Sequence, residues 1–201
     1  MHTLLDRSQY TPDRFPVDGN LEEKIFFLLS FAVMAPSTHN AQPWLFKIKD
    51  NSCELYLNKD LALPYTDPLG RCVYISLGCA LENLIIAATC FGLFKDVQYF
   101  EDAERGKVAE VFFLDVRSSR EKRGQNLVEY ITTRANSRGK FEETKLSDSQ
   151  RADLEALNDF EDLRLNIETD TEKIERLAFF TANSLGDAYA KETFRGELSK
   201  W

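Results

Sequence analysis

Two short stretches of this 201-residue sequence hold residue types at spacings that suit a bound ligand. The first runs Ala35-Pro36-Ser37-Thr38-His39-Asn40-Ala41-Gln42-Pro43-Trp44. Prolines bracket hydroxyl, imidazole and amide side chains, so the loop presents donors and acceptors at fixed positions, as a flat heteroaromatic ligand requires. The same residues also suit a helix-exit turn in which Ser or Asn caps the backbone. His39 sits between these readings, as a ligand contact or as a hydrogen-bonder to its own backbone. The second stretch is Arg134-Ala135-Asn136-Ser137-Arg138-Gly139-Lys140-Phe141. Guanidinium forks and a Ser hydroxyl suit phosphate oxygens, and this cluster is compact enough to hold a phosphate dianion. Its alternative is a solvated basic turn on an acidic protein.

Each stretch must be positioned by flanking elements. Residues 1–19 carry Pro12, Pro16 and Gly19 without a sustained period, which predicts an irregular arm clasping the body. Asn20 is a suitable N-cap, Glu22 and Glu23 follow in the first turn, and the spacing predicts a helix through Met34 that Pro36 ends. Beyond the loop, Trp44–Lys49 and Cys53–Leu57 alternate as two strands around a hairpin turn. From Leu69 to Phe91 apolar residues fill almost every face, predicting a long central helix buried all round and closed by Gly92. Val97–Phe100 and Val108–Val116 read as strands, and the charged residues 117–125 read as a linker. Leu127–Thr133 leads as a helix into the basic stretch. A helix capped by Ser147 and running to about Leu157, a strand candidate at Leu163–Ile167, a helix from Thr171 to about Ser184 capped by Asp170, and an amphipathic segment from Asp187 to Trp201 complete the reading.

Composition narrows the classes. With 43% hydrophobic residues the chain can bury a full core. A net charge of −8 disfavours a nucleic-acid groove or an anionic membrane surface and favours small-molecule partners. The longest apolar stretches, Ile25–Ala35 and Leu84–Phe94, fall well short of the ~18–20 residues a span needs, so no membrane span is expected. Glu22 and Glu23 stand where a signal peptide would carry basic residues. Four cysteines without CxxC spacing and two histidines make no zinc constellation, so four buried or half-buried free thiols in a cytoplasmic protein are expected.

APSTHNAQPW, followed by DPLGRCVYISLGCALENLIIAATCFGL, resembles the loop and long interface helix of the FMN-dependent nitroreductase family. RANSRGKF resembles that family's phosphate-binding RRSxRxF element, which in single-repeat members precedes the loop. Here it follows, the order of the fused-repeat, Acg-like branch, in which two nitroreductase-like halves form a pseudo-dimer. The resemblance implies an α+β fold, a mostly antiparallel sheet flanked by helices with a long buried central helix. It divides the chain into an arm (1–19), a first repeat (20–116), a linker (117–125) and the start of a second repeat (126–201).

By the same resemblance, Pro36, Ser37, Thr38, His39, Asn40 and Gln42 line an FMN whose phosphate is held by Arg134, Asn136, Ser137 and Arg138. Gln42 and Trp44 also suit structural roles, and Arg71 reads as a helix-start residue. Ala135 stands where the family has a second Arg, and Gly139 interrupts the cationic cluster, two departures within the phosphate element. The chain stops where fused-repeat members continue, so the expected assembly is a pseudo-dimer within a longer chain or a homodimer of this one. The implied activity is hydride transfer from NADH or NADPH through FMN to a nitroaromatic, quinone or similar acceptor, with no side chain as catalyst. Two alternatives are an FMN-sequestering protein without turnover and a flavin-free interaction domain.

Overall fold

A computed structural model describes residues 10–100, 106–114, 125–137, 139, 142, 144–157 and 164–200. They fall into two compact units, one made of Met1–Ala135 with Gly196–Trp201, the other of Asn136–Arg195.

The first unit opens with a 3-10 turn at Pro12–Arg14, where proline supplies the φ the turn needs. It delivers Phe15 into an aromatic cluster, stacked on Phe91 at 4.4 Å between ring centroids and edge-on to Phe27 at 5.6 Å. Helix α1 (Leu21–Ala32) starts on a full capping box: Glu23 N–H donates to Asn20 Oδ1 at 2.9 Å, and Asn20 N–H donates to Glu23 Oε2 at 2.8 Å. It ends two residues before the expected Met34. Single turns closed by Met34 N–H to the Phe31 carbonyl and Ala35 N–H to the Ala32 carbonyl unwind it ahead of Pro36, which disfavours helical geometry at Ala35.

Strands β1 (Trp44–Ile48), β2 (Ser52–Leu57), β3 (Phe94–Tyr99) and β4 (Lys107–Phe113) form one antiparallel sheet in the order β1-β2-β4-β3. Two sequence-local hairpins thus join along β2 and β4, with Cys53 opposite Val111 and Glu54 opposite Glu110. Alternation sends Cys53, Leu55, Ala109, Val111 and Phe113 into the core and leaves Ser52, Glu54 and Glu110 on the other face. The fold is therefore α+β with an antiparallel sheet, as expected at that level.

Helix α2 (Arg71–Cys90) crosses the core between the hairpins. Gly70 enters it at φ 69°, and Gly92 leaves it at φ 71° with Leu93 N–H reaching the Ala88 carbonyl at 2.8 Å, backbone values that suit glycine. Leu77, Ala80, Leu81, Leu84, Ala87 and Ala88 make its buried face, and the alanines let α1 approach closely. Asn83 Nδ2 donates to the Phe31 carbonyl at 3.1 Å, satisfying a group at the end of α1.

The expectation that this helix is buried all round is corrected: Tyr74 is 47% and Ile75 65% exposed. Helix α2 packs on α1, on α3 (Gln125–Thr133) and on the sheet, and leaves Tyr74 and Ile75 exposed. At 20 residues and mean hydropathy 1.6, α2 has the length and composition to cross a bilayer, against the expectation of no span, a test that a core helix also passes. Helix α3 also packs on α1 in the same unit.

In the second unit, α4 (Asp148–Ala156) starts on a Ser147–Gln150 capping box, and α5 (Thr171–Ala190) starts where Asp170 Oδ1 accepts from Lys173 N–H at 3.1 Å. Residues 164–167, within the strand candidate, have no regular structure, whereas α5 continues past the expected Ser184. Arg195 Nη1 closes α5 by donating to the Tyr189 and Ala190 carbonyls at 2.6 and 2.9 Å. Helix α6 (Glu192–Leu198) follows. Ile174, Leu177, Phe179 and Phe180 are all exposed along α5. An exposed cysteine, Cys72, departs from the expectation of buried or half-buried thiols, since it lies in the uncovered first turn of α2.

Candidate functional site

The loop between α1 and β1 is built as a rigid, strained turn. Thr38–Asn40 form a single 3-10 turn, with Asn40 N–H donating to the Ser37 carbonyl and Ala41 N–H to the Thr38 carbonyl, both at 3.0 Å. His39, Asn40 and Gln42 have φ of 53°, 59° and 51°, and among the described residues these are the non-glycine positions with positive φ. Such values cost on the order of 1 kcal/mol each, so surrounding contacts must hold them. Ser37 Oγ accepts from Gln42 N–H at 3.0 Å, Gln42 contributes its carbonyl to Trp44 N–H at 2.9 Å, and Asn58 N–H ties the Pro43 carbonyl at 2.9 Å. Trp44, 7% exposed, anchors the exit of the loop in the core.

These bonds give several loop residues a local structural task. Ser37 Oγ braces the backbone as an acceptor while its hydroxyl hydrogen stays available, and the Gln42 backbone is committed to the turn. His39 Nε2 is buried with no hydrogen-bond partner among the described residues. A buried ring nitrogen of this kind is a vacant binding valence in a loop whose geometry is otherwise fixed. Asn40 is exposed at the tip.

Beside the loop lies a small hollow, about 10 Å³ in volume, lined by Thr38, Ala41, Pro43, Leu61, Leu63, Asp67, Val73 and Ser76. Asp67 Oδ2 accepts from Val73 N–H at 2.9 Å, joining the segment before α2 to that helix's first turn. Sequence reasoning about ligand contacts missed this wall, although Asp67 ahead of Pro68 and Gly70 is a recognisable helix-start signal. At about 10 Å³ the hollow has room for roughly one water molecule, far below the ~300–1,000 Å³ usual for cofactor and drug-sized sites, so by itself it does not hold a flavin.

Arg134 is brought to the loop across 100 positions of sequence. It follows the last turn of α3, is half-buried, and its Nη2 points to the Met34 carbonyl at 3.5 Å, a long contact at the exit of α1. One cation of the basic stretch thus stands two residues from Pro36 within the first unit. Asn136 and Ser137 belong to the second unit and are exposed there, and Arg138 lies outside the described residues.

A second polar cluster occupies the sheet face away from the helices. Glu54, 3% exposed, receives Lys107 Nζ at 2.8 Å and Lys49 Nζ at 2.7 Å on Oε1 and the Tyr56 hydroxyl at 3.0 Å on Oε2. Lys107 also bridges to Glu110 Oε2 at 2.5 Å, while the Ser52 hydroxyl donates to Glu110 Oε1 at 2.6 Å. The hydrogen bond from Lys107, then that from Lys49, brings the Glu54 carboxyl down to about 2. Every charge in this cluster meets an opposite one, which makes it a lock between strands and not a catalytic dyad.

No protein-family model matches the chain. Three proteins of Mycobacterium tuberculosis (strain H37Rv) are similar to part of it. The "Putative NAD(P)H nitroreductase Rv3131" is 39% identical over 80 residues, 40% of this chain and 23% of the relative. The "Putative NAD(P)H nitroreductase acg" is 35% identical over 72 residues, 36% of this chain and 22% of the relative. The "Uncharacterized protein Rv3127" is 40% identical over 62 residues, 29% of this chain and 18% of the relative. The chain therefore matches less than a quarter of the length of these relatives.

Two of the three carry nitroreductase names. The matched part of the chain is thus similar to proteins named nitroreductases.

Proposed function

We propose that this chain is part of an FMN-binding, NAD(P)H-dependent oxidoreductase of the nitroreductase type, in its fused-repeat branch, acting on small molecules. The observation that carries the reading is the partial identity to relatives named NAD(P)H nitroreductase, and the loop chemistry agrees with it. A strained turn with a buried, unpartnered His39 Nε2 and an arginine at its margin offers the mixture of ring-facing polar atoms and cationic charge that a flavin mononucleotide requires.

In this reading Pro36 to Asn40 line the ring, the side chain of Asn40 meets its polar edge or the ribityl chain, and Gln42 keeps the turn in shape. Arg134, with Asn136, Ser137 and Arg138, serves the phosphate. When bound, flavin accepts hydride from a nicotinamide and passes it to an electron-poor acceptor. The chain's own task is to hold and orient the ring and keep water from it. Because the hollow is small, a further surface, from a second nitroreductase-like half or a second copy, completes the pocket. Free thiols accord with a cytoplasmic setting.

Gel filtration of the protein after incubation with FMN tests the proposal. Flavin absorbance that travels with the protein and bleaches on addition of NADH or NADPH supports it. Bound flavin that no nicotinamide reduces points to sequestration without turnover. A folded protein that retains no flavin, alone or with the remaining half supplied, sinks the flavin reading.

A further inference from the structure

Glu197 lies in α6 and is 6% exposed, a rare place for a carboxylate unless its oxygens are satisfied. They are satisfied by main chain far away in sequence: Oε1 accepts from Tyr65 N–H at 3.2 Å and Oε2 from Thr66 N–H at 2.7 Å. Both amides lie inside a turn that Asp67 N–H closes on the Leu63 carbonyl at 2.6 Å. The ends of that turn, Leu63 and Asp67, line the hollow beside the ligand loop, and Asp67 continues to Val73 N–H in α2.

We infer that Glu197 is a positioning residue: by gripping the amides of Tyr65 and Thr66 it fixes the turn Leu63–Asp67, and so the wall that this turn shares with Thr38. The inference rests on the flavin reading above only for what the hollow receives. Two backbone donors on one carboxylate form a fork that a single hydrogen bond does not replace, so the turn has one orientation while Glu197 is ionised. Burial opposes that ionisation, but hydrogen bonding from Thr66 and Tyr65 outweighs it and keeps the carboxyl below its ordinary range, so the grip is present at neutral pH.

The test is amide hydrogen exchange on the 201-residue protein and its E197A and E197Q variants, combined with FMN and riboflavin titrations. In E197A, exchange should quicken at Tyr65, Thr66 and Val73 while Leu55 in the middle of the sheet keeps its protection. Both flavins should bind about tenfold more weakly, because a displaced wall does not discriminate the phosphate. E197Q, which retains one acceptor oxygen, should recover part of each effect, and it becomes the deciding variant if E197A does not fold. Faster exchange at Tyr65 and Thr66 with Val73 unchanged, or unaltered flavin binding by a folded variant, overturns the assignment. If the parent protein binds no flavin, the functional reading fails separately, and the exchange pattern at Val73 still decides for or against Glu197.

Discussion

Replacing Lys107 with Met should convert an interstrand lock into a pair of opposed carboxylates. Glu54 and Glu110 are directly opposite on β2 and β4, and Lys107 Nζ bonds both. Removing one partner of a buried ion pair costs about 3–5 kcal/mol. Here Lys49, itself 46% exposed, and the Tyr56 and Ser52 hydroxyls remain, which places the expected loss at about 2–3 kcal/mol near pH 7.

The pH dependence is the sharper signature. In the parent, the Glu54 carboxyl falls from its ordinary 4.5 to about 2, worth about 3 kcal/mol at most and about 2 after allowing for water around Lys49. Because the folded value is depressed, that stability is fully present above pH 4.5 and is lost as the pH falls toward 2. In K107M the carboxyls lose their shared cation and repel, so their folded values rise toward the ordinary range and the loss of stability on acidification should be much shallower than in the parent. Urea unfolding followed by tryptophan fluorescence between pH 7 and 3 measures both slopes. A variant within about 0.5 kcal/mol of the parent at pH 7, or one that loses stability in acid as the parent does, would refute the reasoning.

Three further outcomes are expected. Arg134→Ala should weaken FMN by about 1.5–3 kcal/mol with riboflavin nearly unchanged; equal losses in paired titrations would remove Arg134 from the phosphate site. Asn20→Ala deletes the side-chain half of the α1 capping box, while the backbone N–H of residue 20 keeps its bond to Glu23, and should lower stability by about 1 kcal/mol in thermal unfolding. Burial pushes the Cys53 thiol up to about 12, so at pH 8 thiol titration should label exposed Cys72 promptly and reach Cys53 only on unfolding; equally fast labelling of Cys53 would mean the sheet core opens readily.

Local chemistry was legible in the sequence wherever neighbours along the chain decide the outcome. Asn20, Ser147 and Asp170 cap the helices expected of them, Gly92 closes α2, and the two hairpins lie where alternation placed them, because caps, turns and strand alternation act over a few residues. Leu163–Ile167 was the contrary case: an alternating run is only a candidate strand, and residues 164–167 find no ladder partner among the described residues.

What required the fold was every relation between distant residues. The hydrophobic count of α2 does not reveal which face finds a neighbour, so its incomplete burial emerged only from packing on α1, α3 and the sheet. The adjacency of β2 and β4 buries Glu54 beside Lys107, and no spacing announces that pairing. Arg134 meets the Met34 carbonyl, and Glu197 meets the amides of Tyr65 and Thr66. The sequence by itself thus determined the helices, the hairpins and the polar loop, since these minimise local backbone and solvation costs. Only the tertiary structure decided which polar groups stand together, because burial and long-range hydrogen bonding depend on chain segments brought close by the core.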